Sequence, residues 1–368
     1  MDRGCALKVL YTTQSIDRSE AALLGGLSRM GHDVVMACFP ETARQEELTE
    51  EGVRVEFVPV KHRMDIAARG PLRRVISQLG PDIIYAPSNV TLANALRATS
   101  GRFKGMGKIP VIGYRGTIGH ISRLDPAAWM TYLNGRLACI VCVSEAVRRY
   151  LKSAGVPSAK LATIPKGHDA DWYGRKSADA RSGEGIPRDA FVVGFTGNMR
   201  PVKGVIYLIE AMRHLPDSLN IHLLLVGEVR DRQVTSHLES SPARKRIHAT
   251  GYRKDAASLA GASDVFVMPS VDREGLPRSV IEAMSCGVPP IVTRVGGMTE
   301  LVINGENGIV VEPRDSRALA RAILELAQDR DRRVRLGQRA RARIVEHFNI
   351  ESMISSTAEL FERTILNV

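Results

Sequence analysis

Residues Phe191–Met212 read FVVGFTGNMRPVKGVIYLIEAM, and this stretch decides the fold. Phe191–Thr196 is a continuous apolar run of the kind found in strands buried on both faces. Gly197-Asn198 breaks the run, Arg200 and Lys203 follow, and Gly204 opens a helix. Strand, loop and helix in that order are the alternating pattern of a parallel sheet covered by helices. Such a junction presents free backbone N–H groups and the positive end of a helix. Two cations in the loop, Arg by its planar fork and Lys as a point charge, suit a diphosphate. A solvated basic loop is the plainer alternative, and this stretch alone leaves both open.

The alternation extends in both directions. Downstream lie strands Ile221–Val226, Val265–Met268, Pro290–Thr293 and Gly308–Val311, then helices Ser316–Gln328, Asp331–Glu346 and Ile350–Leu366. Upstream, residues 174–190 are polar and non-periodic, which suits a linker or long surface loop. Before it come strands Leu7–Tyr11, Asp33–Phe39, Val53–Val58, Asp82–Ala86, Pro110–Tyr114 and Ala138–Val143. Helical periodicity separates them, as in Ser19–Met30, which Gly31-His32 stops. The chain therefore reads as two α/β domains in tandem, with the default site in the cleft between two such sheets.

A length of 368 residues with 44% hydrophobic content agrees with two cores. Charged residues at 25% exclude wholesale disorder. No apolar run approaches the roughly 18 residues that cross a bilayer. The N-terminal MDRGCALKVLYTT lacks the pattern of a signal peptide, and five cysteines argue against a disulfide framework. A cytoplasmic protein is expected. Cys139 and Cys142 form a CxxC, but Ala-Cys-Ile-Val-Cys-Val is a buried strand, so packing is expected rather than redox or zinc chemistry.

The net charge of +11 is uneven: residues 1–170 carry 23 Lys+Arg against 15 Asp+Glu, the remainder 28 against 25. The first half is the meeting place for an anion, unless the charge serves solubility alone. Nucleic acid is not expected, since zinc-finger spacing and RNA-binding strand motifs are missing and aromatics are only 5%. Basic residues cluster at Lys61, His62 and Arg63, at Arg69, Arg73 and Arg74, and at Arg102, Lys104 and Lys108. Gly70-Pro71 breaks Met64–Leu79, which predicts a short helix starting near Pro71. Its apolar face of Leu72, Val75, Ile76 and Leu79, flanked by Arg73 and Arg74, either packs on the sheet or makes a peripheral contact with anionic membrane.

A second informative stretch is Pro269–Thr293, PSVDREGLPRSVIEAMSCGVPPIVT. A strand ends near Pro269, Glu274-Gly275-Leu276-Pro277 form a loop, and Arg278 starts a helix that carries Glu282. A carboxylate among Ile281, Ala283 and Met284 needs a partner, and a ribose diol offers two hydroxyl donors. Helix-start electrostatics alone would also favour a glutamate there.

Together these motifs resemble retaining family 4 glycosyltransferases of the GT-B fold. The resemblance rests on Arg200-x2-Lys203-Gly204, Glu274-Gly275-Leu276-Pro277 with Glu282, and Cys286-Gly287-Val288-Pro289. Val295-Gly296-Gly297-x2-Glu300 and Asn304-Gly305-x2-Gly308 extend it. Earlier matches are Arg29-Met30-Gly31-His32-Asp33-Val34, Val143-Ser144-Glu145 and Ile164-Pro165-Lys166-Gly167-His168-Asp169. It is dense over about 190–315 and thinner over 1–170.

The resemblance implies an acceptor-binding Rossmann-like domain over 1–170, with a C-terminal helix of about 350–368 crossing back to it. Residues 171–349 would form the nucleotide-sugar-binding domain. Arg200 and Lys203 would stabilise the diphosphate, with Gly197 and Asn198 in the same loop, and Glu282 would hold the ribose. Glu274 would lie near the sugar hydroxyls, with backbone N–H groups from Gly275 through Leu276 and Pro277 orienting sugar and phosphate. Configuration would be retained and no metal required, and no strand-end Asp-x-Asp is present. The acceptor would be anionic or lipid-linked, such as a lipopolysaccharide-type glycan precursor. Here the sequence departs from the family. Thr12–Arg18 replaces a Gly-Gly loop, with Gly25-Gly26 inside the next helix. Arg115, Thr117 and His120 stand where a histidine is usual, and Lys166-Gly167-His168-Asp169 replaces Asn-Gly-Val-Asp. Two other readings stay open: a sugar-nucleotide epimerase of the same fold, and a non-catalytic assembly partner. Joint retention of Arg200, Lys203, Glu274 and Glu282 argues against the last.

Overall fold

The computed structural model describes residues 6–101, 108–174, 181 and 183–367. The chain divides into two compact units, Met1–Gly167 with Ile350–Val368, and His168–Asn349. Much of the expected linker (175–180 and 182), together with Arg102 and Lys104, lies outside the described residues.

Unit 1 holds seven strands: β1 Lys8–Thr12, β2 Asp33–Cys38, β3 Arg54–Phe57, β4 Ile83–Ala86, β5 Val111–Arg115, β6 Leu137–Cys142 and β7 Leu161–Thr163. Their order is β3-β2-β1-β4-β5-β6-β7, and every pair is parallel. Unit 2 holds six: β8 Phe191–Thr196, β9 Ile221–Val226, β10 Ile247–Gly251, β11 Val265–Met268, β12 Pro290–Thr293 and β13 Ile309–Val311. Their order is β10-β9-β8-β11-β12-β13, again all parallel. Each sheet reverses direction of growth once, between β1 and β4 and between β8 and β11. Doubly wound sheets bind ligands at the carboxyl ends of the strands at that point.

The long apolar runs became the central strands because helices cover both their faces; all of β9 and β12 is buried. The pattern did not show two edge strands, β7 and β10. The first is three residues long, and IHATG of β10 is mostly half-exposed or exposed.

The last helix, Ile350–Leu366, belongs to unit 1 and packs on helix Arg18–Arg29. Its Met353, Ile354, Leu360 and Phe361 join the core around Val9, Tyr11 and Tyr85. Each such side chain contributes about 1.5–3 kcal/mol when fully buried. Gly26 permits the approach: a Cβ there would stand 2.2 Å from Ile354 Cδ1. Asp17 and Glu20 form a reciprocal capping box at the start of the Arg18–Arg29 helix.

The expected short helix near Pro71 is corrected. A single helix runs Ile66–Leu79 straight through Pro71. Asp65 caps it by accepting from the Ala68 N–H, and burial of Leu72, Val75, Ile76 and Leu79 against helix Asn89–Ala98 outweighs the backbone bond that proline cannot make. That apolar face is therefore core and is not available to lipid. Arg73 is tied to the carbonyls of Ala98 and Ser100, whereas Lys61, Arg63, Arg69 and Arg74 are exposed. Cys139 and Cys142 are buried in β6 with thiols pushed up by burial to about 11 and about 12, which fits packing. Among the described residues no helix is long and apolar enough to cross a membrane.

Candidate functional site

In unit 2 the loops after β8 and β11 flank the reversal point, and they are tied together. Val271 N–H donates to Val202 O at 2.9 Å. Gly204 makes this closeness feasible: its φ is +61°, and a Cβ would lie 2.2 Å from Pro269 O. The β8 loop is anchored on its other side, where Gly197 N–H donates to Val226 O and Met199 N–H to Glu228 O, both at 2.8 Å. Asn198 is exposed, and its carbonyl accepts from Arg200 N–H at 2.9 Å.

These loops bring Lys203 and Glu274 together. Lys203 Nζ lies 2.6 Å from Glu274 Oε1, with side chains only 15% and 11% exposed. Ser270 Oγ donates to the same oxygen at 2.7 Å. The opposite side of Glu274 is fixed through its backbone, whose carbonyl accepts from Gly297 N–H at 3.2 Å. A Cβ on Gly296 would stand 1.9 Å from that carbonyl, so the Gly296-Gly297 pair lets the two loops meet. Arg200 is exposed, and its guanidinium bonds to no described residue.

Helix Arg278–Ser285 follows the Glu274 loop, with Pro277 at its N-cap and no side-chain cap. Pro277 has no N–H, so it cannot serve as a donor. The amides of Gly275, Leu276 and Ser279 donate to no described acceptor, which leaves them turned to a helix start of positive potential. Glu282 is buried in the second turn, and its Oε1 accepts from Arg278 Nε at 2.8 Å. Burial raises its carboxyl above the usual range, and Arg278 offsets only part of that rise. Chemically, this is an anion-receiving rim of one free guanidinium, one buried ammonium and loop amides, beside two buried carboxylates that can accept from hydroxyls.

Sequence reasoning missed Ser270 and Arg278. The i,i+4 spacing of Arg278 and Glu282 is a readable signal; Ser270 has none beyond its place at a strand end.

In unit 1 the corresponding reversal point holds a depression of about 280 Å³ lined by Thr13, Gln14, Asp17, Glu20, Ser88 and Tyr114. Lys166 reaches both Asp17 and Glu20, at 3.2 Å from the latter. Arg115 is buried at the end of β5. Its guanidinium donates to the carbonyls of Thr117 (2.9 Å) and Gly119 and lies 5.1 Å over the Tyr132 ring. Thr117 and His120 are exposed, with His120 at φ +63°. Arg115 thus holds its own loop in shape.

Two doubly wound units, one with a cationic loop–helix rim, are the parts of which a GT-B glycosyltransferase is built. The chain matches glycosyl transferases group 1 over residues 176–343 and glycosyltransferase family 4 over residues 18–172. The lipopolysaccharide core biosynthesis glycosyltransferase LpsE of Rhizobium meliloti is 32% identical over 249 residues, 67% of this chain and 70% of that one. The chain belongs to this glycosyltransferase family. The Escherichia coli UDP-Gal:alpha-D-GlcNAc-diphosphoundecaprenol alpha-1,3-galactosyltransferase is 28% identical over 226 residues, 59% of this chain and 58% of its own length. Over several curated relatives the chain spans 50–58% of the relative's length. Anabaena HepE in complex with UDP superposes with a TM-score of 0.78 at 22% identity, covering 97% of this chain and 100% of that one, a likeness of fold.

Proposed function

We propose that the protein transfers a sugar from a nucleotide-diphosphate sugar to an acceptor hydroxyl, with retained configuration and without a metal ion. The observation that carries this reading is the Lys203–Glu274–Ser270 cluster beside Arg200 and the amides of Gly275 and Leu276. As the bond from the anomeric carbon to the diphosphate oxygen breaks, negative charge collects on the phosphate. Lys203 and Arg200 stabilise that charge, an effect worth most where the donors are already fixed in place. Glu274 keeps the Lys203 ammonium in position and offers its carboxylate to sugar hydroxyls. Glu282 accepts from the ribose. The acceptor oxygen bonds to the anomeric carbon on the face the diphosphate leaves, and its proton passes to the departing phosphate oxygen.

A uridine donor is the first to try: the E. coli relative is named for UDP-Gal, and HepE was solved with UDP. The unit 1 depression, rich in hydroxyl and carboxylate groups, suits the hydroxyls of a glycan acceptor. The names of the two curated relatives favour a lipid-linked or lipopolysaccharide-type acceptor. A peripheral contact with anionic membrane on the cytoplasmic face rests on exposed Lys61, Arg63 and Arg69 beside Met64 and Ile66, which are 61% and 78% exposed.

The test is a proton NMR time course with a UDP-sugar, a polyprenyl-diphosphate-linked glycan and excess EDTA. The expected product keeps the donor's α anomeric coupling. An inverted product, or turnover that needs added magnesium, contradicts the mechanism. Conversion of the donor without any acceptor transfers the case to an epimerase.

A further inference from the structure

The amino ends of β5, β6 and β7 border a second cavity in unit 1, at the edge of the sheet opposite the depression near Asp17. Its volume is about 280 Å³. Four cations line it, Lys108, Arg136, Lys160 and Arg363, together with Thr364 of the last helix and Asn367 just beyond its end. No carboxylate of a described residue lines it. Some other basic side chains of unit 1 pair, as in Arg29–Glu51, Arg54–Asp33, Arg148–Glu145 and Lys166–Glu20. None of the four cavity cations forms a salt bridge with a described residue.

Lys160 is half-buried, and its ammonium donates to Gly135 O at 2.8 Å, which leaves two N–H donors for another partner. Burial, and then the charge of Lys108, lowers its pKa. Arg363 reaches across from the last helix, and its charge is felt at the buried Cys139 thiol of β6. Surface cations that merely solubilise a protein are interspersed with acids; here four line one concavity with no carboxylate of a described residue among them.

We propose that this cavity binds a small soluble polyanion with a diphosphate or two phosphate groups, at a site separate from the donor-binding loops of unit 2. Four cations match the charge of two phosphate groups, with arginine forks gripping oxygen pairs and lysines acting as point charges. A water needs only about 10–15 Å³ of such space, so the cavity admits a diphosphate with an attached group. Bound there, the anion bridges Arg363 of the last helix to Arg136 and Lys160 at the sheet edge.

The test is titration calorimetry of the full chain with inorganic pyrophosphate, in an Arg200→Ala/Lys203→Ala/Glu274→Gln background that removes the proposed donor contacts without leaving a buried, unpaired Glu274 carboxylate. This background should bind one equivalent, with affinity falling several-fold as salt rises from about 0.1 to 0.5 M. Adding Arg136→Ser, Lys160→Ala and Arg363→Ser should weaken binding at least tenfold while circular dichroism stays unchanged. Should the combined variant fail to fold, Lys160→Ala alone should weaken binding about threefold. No binding in the background, or unchanged binding after the cavity substitutions, overturns the proposal. Co-sedimentation with phosphatidylglycerol vesicles separates a soluble anion from a lipid headgroup. Equal pelleting with and without the cavity cations supports the soluble ligand. Loss of pelleting with pyrophosphate binding intact overturns it in favour of the membrane.

Discussion

Lys203→Met separates the stabilising and catalytic consequences of the central ion pair. In the wild type the Glu274 carboxylate accepts from Lys203 Nζ at 2.6 Å and from Ser270 Oγ at 2.7 Å, and it is 8% exposed. Without the ammonium, a buried carboxylate keeps only a hydroxyl and its backbone surroundings. Breaking one side of a buried pair costs about 3–5 kcal/mol. At about 2–4 °C per kcal/mol for a unit of this size, the transition of unit 2 should fall by roughly 6–20 °C in scanning calorimetry. Glu274→Gln in the same chain removes the uncompensated charge and should recover most of that loss. Turnover should not recover, because the cation proposed to meet the departing diphosphate is still missing; kcat should stay about a hundredfold or more below wild type. Two results refute the reasoning. One is a Lys203→Met protein that melts with the wild type, which means the pair is not buried as described. The other is a double variant that regains activity, which means Lys203 acts only through Glu274.

Glu282→Gln should show a pH-dependent gain in stability together with weaker nucleotide binding. Burial raises the Glu282 carboxyl, so the native state keeps its proton to higher pH than the unfolded chain. Wild-type stability therefore falls as pH rises from the ordinary glutamate range through the raised value. The variant lacks that fall, so its advantage in denaturant melts should grow over this window and then level; a constant difference from about pH 4 to 8 contradicts it. Gly204→Ala should lower the melting temperature and abolish donor binding, since the left-handed backbone alone costs about 1–2 kcal/mol and the Cβ meets Pro269 O at 2.2 Å. Native protein should leave Cys139 and Cys142 unlabelled by iodoacetamide at about pH 8, because both thiols are buried with pKa values pushed to about 11 and about 12; rapid labelling before unfolding is the opposing result.

The strands that build each sheet were legible because burial on both faces demands unbroken apolar runs, as in Ile221–Val226 and Val265–Met268. Edge strands β7 and β10 were not, since they bury too little to enforce a pattern. Pro71 misled for a related reason. Proline is a local breaker, and the tertiary burial of Leu72, Val75 and Ile76 overrides it. Gly25-Gly26 stood out as displaced loop glycines, but they serve packing: Gly26 accommodates Ile354 of a helix more than three hundred residues later. At the site, the residue types and their loops were readable from spacing. Their partnership was not. Lys203 and Glu274 are 71 positions apart and read from sequence as separate groups, yet the tie between the β8 and β11 loops makes them one pair. The sequence places Arg115 where the family usually has a histidine, and only the fold shows its guanidinium engaged by Thr117 and Gly119.

The central claim is that the β8 and β11 loops of unit 2 hold a nucleotide diphosphate. A thermal-shift panel of UDP-, GDP- and ADP-sugars on the wild type and on Glu282→Gln tests it most directly. A ligand at about 100 times its dissociation constant adds roughly 2.7 kcal/mol, a shift of several degrees. The account predicts that one nucleotide class, with UDP first, raises the wild-type transition by that amount, and that Glu282→Gln loses most of the shift. No shift with any of the three, or an equal shift in the variant, contradicts it.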